Sequence, residues 1–131
     1  MSESFVVDIK KAAKENDLFR QVLFTAKQSQ LVLMALQAHE EIGAEVHRVD
    51  QILYVVEGEG KVVLDGAGQE FEKGMIVVVP AGVRHNVINT DDEPMKLFTV
   101  YAPPQHAAGT VHRTKADAEA AEKREIQPAK I

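Results

Sequence analysis

Glu45, Val46 and His47 set a carboxylate and an imidazole two residues apart. On an extended strand, residues i and i+2 point to the same face, so both side chains enter one interior together. Gln51 shares that parity if the strand continues without a bulge; a turn at Arg48–Asp50 would change it, and a bulge would put Asp50 in its place. His85 stands at the start of a later strand, just after the turn Pro80-Ala81-Gly82. Singly, each is ordinary: a strand Glu usually faces water, a lone His is usually a satisfied polar group, an amide is an uncommon metal donor, and His85 would serve equally as a turn cap. Together, four potential ligands from two neighbouring strands could converge on one point. The chain has no cysteine, which removes thiolate sites, disulfides and a Cys nucleophile. Imidazole and carboxylate without thiolate suit Fe, Mn, Ni or Zn in the divalent state.

The elements that must position these residues are short strands. Apolar runs rich in Val, Ile, Tyr, Phe and Thr span Gln21–Thr25, Gln30–Gln37, Gln51–Val56, Lys61–Leu64, Met75–Val79, His85–Asn89 and Lys96–Tyr101; such residues favour strands. The breaks carry turn chemistry: Glu57-Gly58-Glu59-Gly60, Asp65-Gly66, Lys73-Gly74, Pro80-Ala81-Gly82 and Asp91-Asp92-Glu93-Pro94. Regular short strands with such turns indicate an all-β sandwich or barrel. Ile9, Ala12 and Ala13 fall at helical spacing and predict a short helix from Asp8 to Asn16. Pro103-Pro104 ends the last strand. Thr114, with Asp117 three residues on, reads as the start of a polar helix over Lys115–Arg124, followed by a frayed tail at Glu125–Ile131.

The 131 residues suit a single domain, with a barrel core over about 18–101 and a helical tail over about 114–131. The net charge of -5, with Lys and Arg scattered, excludes a phosphate-backbone partner on electrostatic grounds. No apolar run is long enough to span a bilayer, and Met1-Ser2-Glu3-Ser4 is not a secretory signal, so a cytoplasmic location is expected. Glu57-Gly-Glu-Gly60 opens a strand rather than a helix and is no phosphate cradle. His39 is expected at a strand end, and His106 and His112 on the surface or near a barrel mouth. Arg84 reads as a solvated arginine beside His85.

The residues from 74 to 89 resemble the second motif of the cupin superfamily, Gly-x5-Pro-x-Gly-x2-His-x3-Asn. Gly74, Pro80, Gly82, His85 and Asn89 occupy every fixed position. The first cupin motif, Gly-x5-His-x-His-x3,4-Glu-x6-Gly, is similar in frame when anchored on Gly58. Gln51 then stands at the Glu position, His47 at the second His, Glu45 at the first His and His39 at the leading Gly, with Gly43 nearby. The likeness covers about residues 30 to 101 and extends loosely to the ends, which look like those of small bacterial single-domain cupins. It implies a double-stranded β-helix, or jelly roll, with short N- and C-terminal helices and a metal site inside the barrel. Carried over by position, the ligands are Glu45, His47, Gln51 and His85. The set departs from the commonest cupin pattern of three His and one Glu. A Gln, His, Glu and His set is similar in composition to that of the cupin-related phosphomannose isomerases.

The resulting expectation is a metal-dependent enzyme of oxygenase or isomerase type acting on a small polar molecule, with Glu45 also available as a general base. The alternative is a non-catalytic binding or sensory cupin. A homodimer is expected, with Gln30–Gln37 supplying an apolar edge or face.

Overall fold

A computed structural model describes residues 3–126. The chain runs α1 (Ile9–Glu15), β1 (Arg20–Thr25), β2 (Gln30–Leu36), β3 (Asp50–Glu57), β4 (Glu59–Leu64), β5 (Ala67–Glu72), β6 (Ile76–Val79), β7 (His85–Asn89), β8 (Met95–Ala102), β9 (Val111–His112) and α2 (Lys115–Ile126). A six-stranded sheet has the order β6-β3-β8-β2-β1-β9, and a three-stranded sheet has the order β5-β4-β7. All pairings are antiparallel. This is the jelly roll, with the main core between the sheets.

Strand parity sets what enters that core. On β6, Val77 and Val79 are buried while Ile76 and Val78 are 59% and 60% exposed. On β3, Gln51, Leu53 and Val55 face inward. Leu97 and Tyr101 of β8 join Val62, Phe71 and Val87 of the smaller sheet in one cluster. A second cluster forms outside the large sheet, where Ala13 of α1 packs on Leu33 and Val56. Asp8 caps α1 by accepting from the Lys11 amide at 3.2 Å. Buried Lys96 donates to the Asn16 carbonyl and, at 3.0 Å, to Asp17, which fixes the step from α1 into β1.

Several sequence expectations change. No regular strand carries Glu45 and His47. His39 and Gly43 take positive φ of 61° and 107°, and between β2 and β3 the chain meets β7 through the isolated bridges Glu41–Ile88 and Glu45–His85 and through Asn86, which accepts from the Gly43 amide and donates to Glu41. The Gln30–Gln37 run is not an edge, because β2 lies between β1 and β8. Residues 67–72, too polar to read as a strand, form β5 because Asp65 and Gly66, with φ of 48° and 85°, make a tight hairpin turn back onto β4. The Thr114 hydroxyl accepts from the Asp117 amide at 3.1 Å, as a helix cap does. Helix α2 continues through Glu125 and Ile126 instead of fraying there; the rest of the expected frayed tail lies outside the described residues. Among the described residues, no helix is long and apolar enough to cross a membrane.

Candidate metal centre

Backbone pairing brings the donors together. The Glu45 amide donates to the His85 carbonyl at 2.8 Å, and the His85 amide returns a bond to the Glu45 carbonyl at 2.9 Å. The Gly82 amide donates to the His47 carbonyl, and the Ala81 amide to the Asp50 carboxylate, both at 2.9 Å. The 45–50 segment and the turn before β7 are thus laced along their length. Exposed Asp50 is used up in that lacing, so strand parity leaves Gln51, not Asp50, facing inward.

Ligand atoms of Glu45, His47 and His85 lie within 4.8 Å of one another. Two donors bound to one ion at about 2.1 Å stand roughly 3 to 4 Å apart, so little adjustment closes this cluster around a metal. His85 Nδ1 is 2.9 Å from the Val83 carbonyl. A carbonyl only accepts, so Nδ1 carries the proton and Nε2 presents its lone pair inward. That Nε2 and the Oε1 of Gln51 are buried without a hydrogen-bond partner, and the buried Nε2 of His47 has only the Glu45 carboxylate beside it, at 3.4 Å. Gln51 Nε2 donates to the Thr99 hydroxyl at 3.1 Å, which fixes the amide with its oxygen free. Gln51 pairs across strands with Tyr101, whose ring meets His47 edge-on at 5.7 Å. Buried polar atoms are normally satisfied; lone pairs left unpaired on His85 and Gln51, with a His47–Glu45 pair close to His85, are a donor set that suits a cation.

Burial alone would raise the Glu45 carboxyl. The adjoining His47 imidazole, through both contact and charge, followed by Arg20 and His85, holds it below its usual value. His47 Nε2 is 3.4 Å from Glu45 Oε1. Glu45 is therefore an anion at neutral pH, as a ligand must be.

Neither His106 nor Arg20 was marked as part of the site by its sequence neighbourhood. The buried Gln30 amide donates to Thr25 Oγ1 and the His106 carbonyl at 2.9 and 2.7 Å, and accepts from the Gln105 and His106 amides at 3.2 and 3.0 Å. These bonds fold the segment after β8 back over the barrel and set the His106 ring edge-on to Tyr101, 5.2 Å away. Burial, then the Arg20 charge, pushes His106 down to about 3 from 6.5. Below about pH 6.5 the unfolded chain binds a proton that the folded one does not. This group therefore lowers stability as pH falls from about 6.5 toward about 3, by at most about 1.4 kcal/mol per pH unit. Urea unfolding of metal-free protein between about pH 7 and about pH 5 should show that loss, and His106→Phe should flatten it. Identical pH slopes in the two proteins would contradict the assignment.

The remaining polar residues have structural tasks. Exposed His39 pairs with Asp92 at 2.8 Å. Asn89 donates to the carbonyls of Leu36, Gln37 and Glu93, so the last residue of the 74–89 motif clamps loops at the far end of β7. His112 lies on β9 opposite Arg20, and Arg84 is exposed.

The family model for the Cupin domain matches residues 32–101, more than half of the chain. The chain is a cupin. The uncharacterized protein YrkC of Bacillus subtilis is 48% identical to this cupin over 90% of the chain and 67% of its own length. The crystal structure of BH2720 from Bacillus halodurans superposes with a TM-score of 0.88 at 43% identity, covering 90% of this cupin and 95% of that chain. An RmlC-like cupin from Shewanella frigidimarina superposes with a TM-score of 0.62 at 28% identity over 66% of this cupin and 77% of its own chain. The jelly roll expected from the 74–89 motif is thus the fold, and a Glu/His/His cluster stands inside it.

Proposed function

We propose that this cupin binds one divalent metal ion, Fe, Mn, Zn or Ni, through Glu45, His47, Gln51 and His85, and is an enzyme acting on a small polar molecule. The carrying observation is the Glu45, His47 and His85 cluster, its ligand atoms within 4.8 Å of one another, together with buried, unpartnered acceptors on His85 and Gln51. The ion, when bound, supplies Lewis acidity or oxygen activation, which places the reaction among oxygenations or isomerisations. The protein's own part is separate. His85 is held in one tautomer by Val83, Gln51 is held by Thr99, and the Tyr101 and His106 rings wall the site against water. Glu45, half-buried and beside a cavity, is the group placed to take a proton from a bound substrate.

Calorimetric titration of metal-free protein with Mn(II), Fe(II), Ni(II) and Zn(II) tests the site. One ion should bind per chain. Gln51→Leu should weaken binding by about 10- to 100-fold, the usual cost of losing a group that supports a metal. Equal affinity in wild type and Gln51→Leu would remove Gln51 from the set, and no binding of any ion would overturn the proposal.

A homodimer is proposed as well, through the outer face of the large sheet rather than the β2 edge. Exposed Ile76 and Val78 adjoin Tyr54 and Ile52 in register on β3, an apolar strip of the kind that marks an interface. Light scattering at micromolar concentration should give twice the chain mass, and Ile52→Lys/Val78→Lys should give one chain mass. A wild-type monomer would refute the dimer.

A further inference from the structure

Arg20 opens β1 and is only 2% exposed. Its Nη1 stands 3.1 Å from His112 Nδ1; arginine only donates, so the imidazole nitrogen accepts. The guanidinium lies 5.3 Å from the Phe19 ring centre, a stacking contact that helps fix its plane. Its Nε is buried and has no hydrogen-bond partner. A cavity of about 140 Å³ lies against this side chain, lined by Phe19, Arg20 and Glu45 and, from α2, by Lys115, Glu119 and Glu122. Glu45 belongs both to this cavity and to the cluster with His47 and His85. One small molecule in the cavity would therefore meet the fixed Arg20 cation and Glu45, the member of the donor cluster that lines it.

A guanidinium cannot shed its charge, and burying it is costly unless an anion pairs with it. Glu45 feels the Arg20 charge, but its close ion contact, at 3.4 Å, is with His47. We propose that the cavity is a carboxylate-binding subsite: Arg20 receives the carboxylate of a short hydroxy- or oxo-acid, whose hydroxyl or oxo oxygen lies on the Glu45 side of the cavity. Glu45 and Glu119 also line the cavity and disfavour a second negative charge there, so the ligand is a monocarboxylate. The placing of the hydroxyl or oxo oxygen rests on the proposed metal site; the Arg20 contact does not.

Lactate and its uncharged amide, lactamide, separate these points. Binding of each is measured by calorimetry to wild type, Arg20→Lys and Arg20→Gln, with and without added Mn(II), and Mn(II) content is assayed in the same samples. Wild type should prefer lactate by at least about 10-fold, the scale of one charge-assisted hydrogen bond. Arg20→Gln should lose that preference and Arg20→Lys keep part of it, with Mn(II) content unchanged in both. Equal binding of lactate and lactamide to wild type would overturn the subsite and needs no variant to fold. An undiminished lactate preference in Arg20→Gln would overturn the role of Arg20. A preference that depends on Arg20 in protein taking up no Mn(II) would uphold the subsite while the metal proposal fell.

Discussion

Gly60→Ala is expected to cost on the order of 3 kcal/mol or more, because the new methyl has nowhere to go. A Cβ built at Gly60 falls 2.0 Å from the Ile88 carbonyl oxygen and 2.7 Å from Met95 Cε. The methionine end can swing aside. The carbonyl cannot, since it belongs to β7, which pairs with β4 along five registered positions from Gly60–Asn89 to Leu64–His85. Relief requires parting the two strands, and β7 is the strand that begins with His85. A loss of this size is a large share of the roughly 5 to 15 kcal/mol that holds an ordinary domain folded. Chemical denaturation should show a greatly reduced midpoint or no folded baseline. Gly68→Ala is the control: its nearest neighbour is Val63 Cγ2 at 3.9 Å, so its cost should stay within about 0.5 kcal/mol. Similar midpoints for the two variants would mean that β4 and β7 do not approach as closely as described.

The second large effect concerns the metal. His47→Ala/His85→Ala removes two of the three strongest donors and should lower affinity on the order of 1,000-fold or more, since loss of an outer-shell partner alone costs about 10- to 100-fold. Stability should follow by mass action. An ion at about a hundred times its Kd adds about 2.7 kcal/mol to the wild-type fold, and the double variant should gain almost nothing at the same concentration. The metal-free variant is not expected to collapse, because the unpartnered His85 Nε2 leaves with its ring and His47 gives up only its 3.4 Å contact with Glu45. Thermal melts with and without Mn(II) check this. A full metal-induced shift in the double variant would place the ion elsewhere.

Sequence pattern revealed different parts of the molecule unequally, for physical reasons. β7 was legible residue for residue as His85–Asn89 because a Pro-x-Gly turn opens it and β-branched residues fill it. Strand β5 was not legible from apolar alternation, since Phe71 is its only buried residue; it was implied only by the Asp65-Gly66 turn in the spacing between the two cupin motifs. Glu45 and His47 do share a side, yet they do so on irregular backbone laced to β7 rather than on the continuous strand their spacing suggested. Arg20 sits two residues before Val22, and both are buried on one face of β1. An arginine at a strand start reads as solvated, and only packing shows otherwise. His106 had no signal either, because its placement depends on Gln30, seventy-six residues away, clamping the intervening loop.

Anomalous diffraction from crystals grown with Mn(II) tests the central claim most directly. A single strong peak per chain is predicted between His47 Nε2, His85 Nε2, Gln51 Oε1 and the Glu45 carboxylate, at ordinary ligand distances of about 2.0 to 2.3 Å. A fully loaded crystal with its peak elsewhere, or the same donors closing on one another around no ion, would contradict the metal centre.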